Sequence, residues 1–511
     1  MPNENPSAAN ASPAVTTART PLVNERAEAV LQETKTQLKT DKVPAATRGE
    51  VEPMLRALLG TLHLVKFDPR IKVFVNSVIE KIDEAMSDQL AEVLHEPKFL
   101  QLEGAWRGLE HLVFKSDTGA SIKICMLNTS KDRIREDLTS ALRWDQSRLY
   151  KLLYTERIGL YGKDPIGMIV GDFEFSHNDL VTLKGMAKIA AVSFAPFIAA
   201  PSPELFGFDH WAELPEPMKL ESTFLGEKYK EWNDFRENVE DSRYVVLAMP
   251  RLMARAPYAP ANNPAGSAGF SRAFDEAPRS GDGESLRMLN GHYCWMNAAY
   301  AYAARVTDSF WETGWCLKTA GKEGGGEVCD LPRHVFRTVR GEPDAVGPGE
   351  VAVAHARSWE LGKLGFLVGE NDHRTATYVF VNSSTVQKPR DYGAANPAAN
   401  ENAQLMTMAQ YIFASSRLAQ CLKIMGHDKV GSLQEAEDYE RSLNRWIMNY
   451  IDGNAEGERR YQFPFKEATM KVTPVPGKLG YYQVKAHIRP WLPLVQLHHE
   501  VMLVAELPKK Q

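Results

Sequence analysis

The chain has 511 residues, 44% of them hydrophobic and 24% charged, with a formal net charge of −5 and a pI near 6.3. That length and composition predict two or three folded regions of ordinary globular type. The mildly acidic balance, with no long Lys/Arg run, argues against a general nucleic-acid binder.

Residues 1–23, rich in Pro, Ala, Asn and Ser, cannot bury enough apolar surface to offset the entropy of ordering and are expected to form a flexible tail. Asn24 then offers an N-cap to a short amphipathic helix with Ala27, Val30, Leu31 and Leu38 roughly on one side, a docking element or a fraying end. Val75, Val78, Ile79, Ile82, Met86, Leu90 and Val93 keep helical spacing until Pro97 stops the run, and Phe99, Leu102, Trp106 and Leu109 mark a second helix. Ser121–Asn128 reads as a strand, with Thr129 and Ser130 capping the helix that follows.

Further strands are expected at 165–175, 194–200 and 242–250, alternating with helices. This pattern predicts an α/β domain with a largely buried sheet. Residues 257–285 form a long Pro/Gly/Ser-rich loop, and a second composition break lies at 387–404. Beyond it come two helices (402–425 and 432–451), a hairpin (465–490) and a last strand. The organisation expected is an arm at 1–53, an α/β domain at 54–385 and a mixed α+β domain at 386–511.

The last strand places Val495, Leu497, His499, Val501, Leu503 and Ala505 on one face. Such a strand can pair within its own sheet or be donated to a neighbour's edge.

Candidate chemistry is sparse. Five scattered cysteines (Cys125, Cys294, Cys316, Cys329 and Cys421) never form CxxC, which excludes common zinc ribbons and redox dithiols and fits a reducing compartment. No secretory signal is evident, and the most apolar stretch, Ile189–Pro201, is too short to span a bilayer, so a cytoplasmic location is expected. The Gly-rich run 321–334 matches neither a P-loop nor GxGxxG and reads as a tight turn. His498 and His499 are adjacent on a strand and face opposite ways, so they cannot readily share a metal. Asp172 and Glu174, spaced i, i+2 on a strand, are the most enzyme-like pair; Cys294 beside His292 is a second, as a thiol and its base. A cytosolic hydrolase using either pair is the alternative to an interaction protein. No metal or cofactor is expected.

Several stretches together resemble one family, in order and at family spacing across residues 55–508. They include LEGAWRGLEHLV (102–113), YGKDPIGMIVGDFEF (161–175), AAVSFAPFIAAPSPELFGF (190–208) and DSRYVVLAMPRLMARAPY (241–258). WMNAAYAYAARVTDSFWETGWC (295–316), GKEGGGEVCDLPRHVF (321–336) and RPWLPLVQLHHEVMLVAELP (489–508) continue the match. The family is the large subunit (TssC/VipB) of the type VI secretion contractile sheath.

The resemblance implies a non-enzymatic subunit of a phage-tail-sheath-like assembly. It would pair with a small subunit (TssB/VipA) and polymerise helically around stacked Hcp rings on a baseplate, in a Gram-negative cytoplasm. It also implies terminal strands mingled between neighbours, a structural rather than catalytic role for the Gly-rich segment, and leaves open recognition of 24–38 by the ClpV unfoldase.

Overall fold

The structure, a computed structural model, describes residues 69–119, 121–160, 162–216, 219–258, 274, 276, 290–337, 343–371, 375–393, 395–429, 436–475, 482–491 and 501–507. The chain divides into two compact units, Met1–Asp88 with Ala265–Ala273, and Gln89–Pro264 with Phe274–Gln511. In the first, helix α1 (Pro69–Leu94) begins, and its apolar stripe faces outward: Ile79, Ile82 and Met86 are between 38% and 49% exposed. The helical period is as expected, and among the described residues none of these three side chains belongs to either hydrophobic core.

The second unit is built on a six-stranded sheet. Its strands are β1 (Ile169–Phe175), β2 (Phe197–Pro201), β3 (Val245–Met249), β4 (Glu327–Val328), β5 (Leu367–Asn371) and β6 (Tyr378–Phe380), in the order β1-β2-β3-β5-β6-β4. β1, β2, β3 and β5 run parallel, and β6 and β4 are antiparallel to their neighbours.

Alternation within β2 and β3 shows why these segments read as unbroken apolar runs. Phe197, Ala199, Val245 and Leu247 enter one core, and Ile198, Val246 and Ala248 enter another. A strand buried on both faces has no polar side to display.

Helices α2 (Pro97–Lys115), α3 (Lys131–Ser140), α4 (Leu180–Ser193), α5 (Lys230–Asn238), α6 (Ala298–Thr313) and α7 (His355–Lys363) flank the sheet. The first core packs Leu183, Met186 and Ala190 of α4, and the second packs the alanines of α6. Small residues on α6 allow close approach to the sheet. Ser130 caps α3 through a hydrogen bond from Arg133 N, as expected. Phe206, Trp232 and Phe366 anchor the first core, the Phe206 and Phe366 rings lying 4.7 Å apart.

The C-terminal part carries α8 (Pro397–Met406), α9 (Ala409–Lys429), α10 (Ala436–Ile447) and a three-stranded antiparallel sheet of β7 (Phe465–Pro474), β8 (Tyr482–Pro490) and β9 (Val501–Leu507). Here the sequence pattern predicts one helix where the structure has two. Thr385 N and Oγ1 both donate to Thr407 O (3.0 and 2.8 Å), and Ser383 takes the amides of Ala409 and Gln410, so the main chain breaks at 407–408. Gln420 on α9 ties this part to the large sheet, its Nε2 donating to Ile166 O at 2.7 Å and Phe194 O at 2.9 Å.

One expected strand is not formed. Ile122–Asn128 runs straight but joins no ladder among the described residues.

Candidate functional site

Open parallel sheets usually hold ligands at the carboxyl ends of their strands. Asp172 and Glu174 lie there, on a strand whose register slips between Val170 and Glu174. Glu174 sits 3.6 Å from Arg251 Nη1, and Arg251 also donates through Nε and Nη2 to Glu350 at 2.6 and 2.7 Å. Burial pushes the Glu174 carboxyl up, and Arg251 offsets only part of that rise. Burial pushes the Asp172 carboxyl up, with the neighbouring Tyr300 and Asn297 side chains opposing it, and the residue reaches the surface.

An acid–base pair needs both groups turned to one substrate. Here each is bound to a different structural neighbour. Two surface clefts, of about 280 and 400 Å³, include neither residue.

Cys294 fares no better. Burial, with Glu103 nearby, pushes its thiol up to about 12, and Sγ donates to Leu100 O at 3.9 Å. At neutral pH it is a protonated thiol, whereas the nucleophile would be the thiolate. The His292 ring packs against His95 at 4.9 Å between centroids. The hydrolase alternative is not supported on either pair. Among the described residues no group of three or more His, Cys, Asp or Glu is placed to hold a metal ion.

The Gly-rich run is a turn stitched to a strand. Gly321 N donates to Phe380 O at 2.7 Å, Phe380 N to Gly326 O at 2.9 Å, and Gly326 N to Gly321 O at 2.8 Å. A Cβ on Gly326 would lie 2.5 Å from Phe380 O, and Gly325 sits at φ +82°. Glycine is required there by close backbone approach and a left-handed conformation, not by a phosphate.

Sequence reasoning missed a buried charge cluster. Arg255 bonds Glu103 of α2 at 2.6 and 3.0 Å and Glu276 at 2.6 and 3.0 Å, with its guanidinium 4.3 Å over the Tyr258 ring. Tyr258 N also donates to Glu276. Burial would raise the Glu276 carboxyl, but His95 and Arg255 outweigh it and hold it near 2. Arg255 and Glu103 are 152 positions apart, so no local pattern signals the pair.

The assembly candidates fall as follows. Ala27, Val30, Leu31 and Leu38 lie outside the described residues, as do Val495, Leu497 and His499. Val501, Leu503 and Ala505 belong to β9 and pair with Ile488, Ala486 and Val484 of β8. On the opposite edge, α10 plugs β7: Asn444 exchanges hydrogen bonds of 2.8 Å with Met470 N and O, and Glu440 accepts from Val472 N at 2.8 Å. This treatment closes one edge of the sheet to further strands.

Among the described residues no helix is long and apolar enough to cross a membrane. Residues 76–387 match the VipB family of tail sheath N-terminal domains (EvpB/VC_A0108), and residues 398–507 match its tail sheath gpW/gp25-like domain. The chain is 37% identical over 496 residues, 96% of each sequence, to the type VI secretion system sheath protein TssC1 of Pseudomonas aeruginosa. With both candidate catalytic pairs absorbed into structural contacts and the match running nearly end to end, the chain belongs to the VipB/TssC family of type VI secretion sheath proteins and is a structural subunit of that sheath.

Proposed function

We propose that this chain pairs with a small sheath subunit of the TssB/VipA type and polymerises with copies of itself into an open helix around an Hcp tube. The assembly would stand on a baseplate in the cytoplasm, and its work would be mechanical rather than catalytic. The 1–53 arm is the docking element in this reading, with ClpV as its candidate partner.

One observation carries the proposal. β9 is held by its ladder to β8 while α10 closes the far edge of the same sheet. A strand attached in this way can be replaced by the same strand of a neighbour without disturbing the rest of the fold. Head-to-tail exchange that does not close gives a filament, and ladders of main-chain hydrogen bonds persist while side-chain interfaces repack during contraction.

The test uses the register pair Lys485↔Val504. Lys485→Cys and Val504→Cys are made in separate preparations, mixed with the small subunit and oxidised. Paired strand residues lie within disulfide reach. Exchange predicts a covalent dimer of the two variants in assembled tubules. A cross-link found only when both cysteines share one chain sinks the exchange.

A further inference from the structure

Helix α1 begins at Pro69, and its apolar stripe continues past Ile79, Ile82 and Met86: Leu90 is 39% exposed and Val93 60%. A stripe at this spacing is the face that a helix normally buries, and an exposed run of such residues marks a surface made for contact.

The unit to which the start of α1 belongs limits what can cover it. That compact unit is Met1–Asp88 with Ala265–Ala273. Phe270 is the one large apolar residue of 265–273, and residues 1–52 spread nine such residues over fifty-two positions. Residues 53–66, which lie outside the described residues, hold seven in fourteen. Among them Leu55, Leu58, Leu59 and Leu62 keep i, i+3, i+4, i+7 spacing, the mark of a helix with one apolar face. Pro53 suits the first turn of such a helix.

Pro69 decides how the two helices meet. At the first position of α1 it has no N–H to give to a preceding turn, and its ring drives the residue before it out of the helical region. A helix over 53–66 therefore cannot run on into α1. With Phe67 and Asp68 as the connection the chain must turn back, and helices joined by so short a loop lie antiparallel. At about 1.5 Å per residue, fourteen residues span about 21 Å, which reaches from Pro69 as far as Ile82.

We propose that residues 53–66 form a helix that folds back on α1, so that its first turns, with Met54, Leu55 and Leu58, cover Ile79 and Ile82. The occupant of this half of the stripe is the chain itself. Met86, Leu90 and Val93 stay open beyond its reach, and the 24–38 segment remains available to a partner. The inference goes beyond the assembly reading above and does not depend on it.

The full chain tests it, alone or with the small subunit. A photoreactive benzophenone residue is placed at Ile79, Ile82 or Val93, and adducts are mapped by mass spectrometry in mixtures of nitrogen-15-labelled and unlabelled chains. Adducts from Ile79 and Ile82 should fall within 53–66 of the same chain, and Val93 should give none there. Adducts of Ile79 or Ile82 on 24–38, on 265–273, on the small subunit or on a second copy overturn the hairpin. So do adducts of Val93 on 53–66, or no adduct from Ile79 and Ile82. In hydrogen exchange, Leu58→Asp should speed the amides of Ile79–Ile82 at least about tenfold, and Leu31→Asp should leave them unchanged. Unchanged exchange in Leu58→Asp, or the same loss in Leu31→Asp, overturns it as well. The sheath assignment rests on the family match and stands under every one of these results.

Discussion

Replacing Glu276 with glutamine removes one charge from the Arg255 cluster with little change of shape. The Glu276 side chain is 1% exposed, so solvent does not screen its contacts. A carboxyl held near 2 in place of the usual 4.5 favours the ionised form by about 3 kcal/mol. Because the native value is depressed, this contribution is present above pH 4.5 and drains away as pH falls towards 2. In the Gln variant it is missing at every pH, and among the described residues Arg255 is left with Glu103 as its carboxylate partner. Breaking a buried pair from one side costs a similar amount.

Since Glu103 lies on α2, the effect is read in the amides of Pro97–Lys115. At neutral pH their protection should drop by about a hundredfold in Glu276→Gln. After correction for intrinsic rates, the unmodified protein should lose protection between pH 4.5 and 2, and the variant should not. Unchanged protection at pH 7, or the same acid slope in both proteins, would refute the reasoning.

Other expectations concern separate sites. His111, also on α2, is held down to about 4 by burial, with Lys115 and Arg305 adding to it; its neutral form is stabilising above pH 6.5, and about 3 kcal/mol is lost on the way down to pH 4. Urea midpoints of His111→Gln should therefore be flatter across that window than those of the unmodified chain, a range distinct from that of Glu276. Gly326→Ala forces a methyl against Phe380 O and Gly321 N, backbone atoms that cannot yield, and should cost about 2–3 kcal/mol in urea unfolding; a neutral result would mean that the turn is not packed as described. Ellman's reagent at pH 8 should label exposed Cys125 and Cys329 promptly, while Cys294 and Cys316, both pushed up to about 12 by burial, react roughly a thousandfold more slowly until denaturant is added.

The sheet strands were legible because burial on both faces leaves a continuous apolar signature, as in Val245–Met249; β1 and β3 fall inside their expected runs, and β2 extends one residue beyond its own. The Gly-rich turn was legible too, since the missing phosphate motif and the need for positive φ both pointed to geometry. What escaped depended on distance in the chain. The break at 407–408 is made by Thr385 and Ser383, over twenty positions away, against a locally unbroken helical pattern. Ile122–Asn128 has strand composition, but a strand also needs a partner, and composition cannot supply one. The Asp172/Glu174 spacing suggested shared chemistry; Arg251, Tyr300 and Asn297 arrive from remote segments and divide the two carboxylates between them.

The pairing of β3 with β5 also sets a timetable for synthesis. Ala248 and Met249 meet Leu367 and Val368 only after more than a hundred further residues have left the ribosome. At ordinary elongation rates that is on the order of ten seconds, during which the growing half-sheet shows an apolar border to the cytosol. A nascent chain with that border exposed is a natural client for a holdase, and slow translation past residue 250 should tax its yield more than slow translation past residue 400.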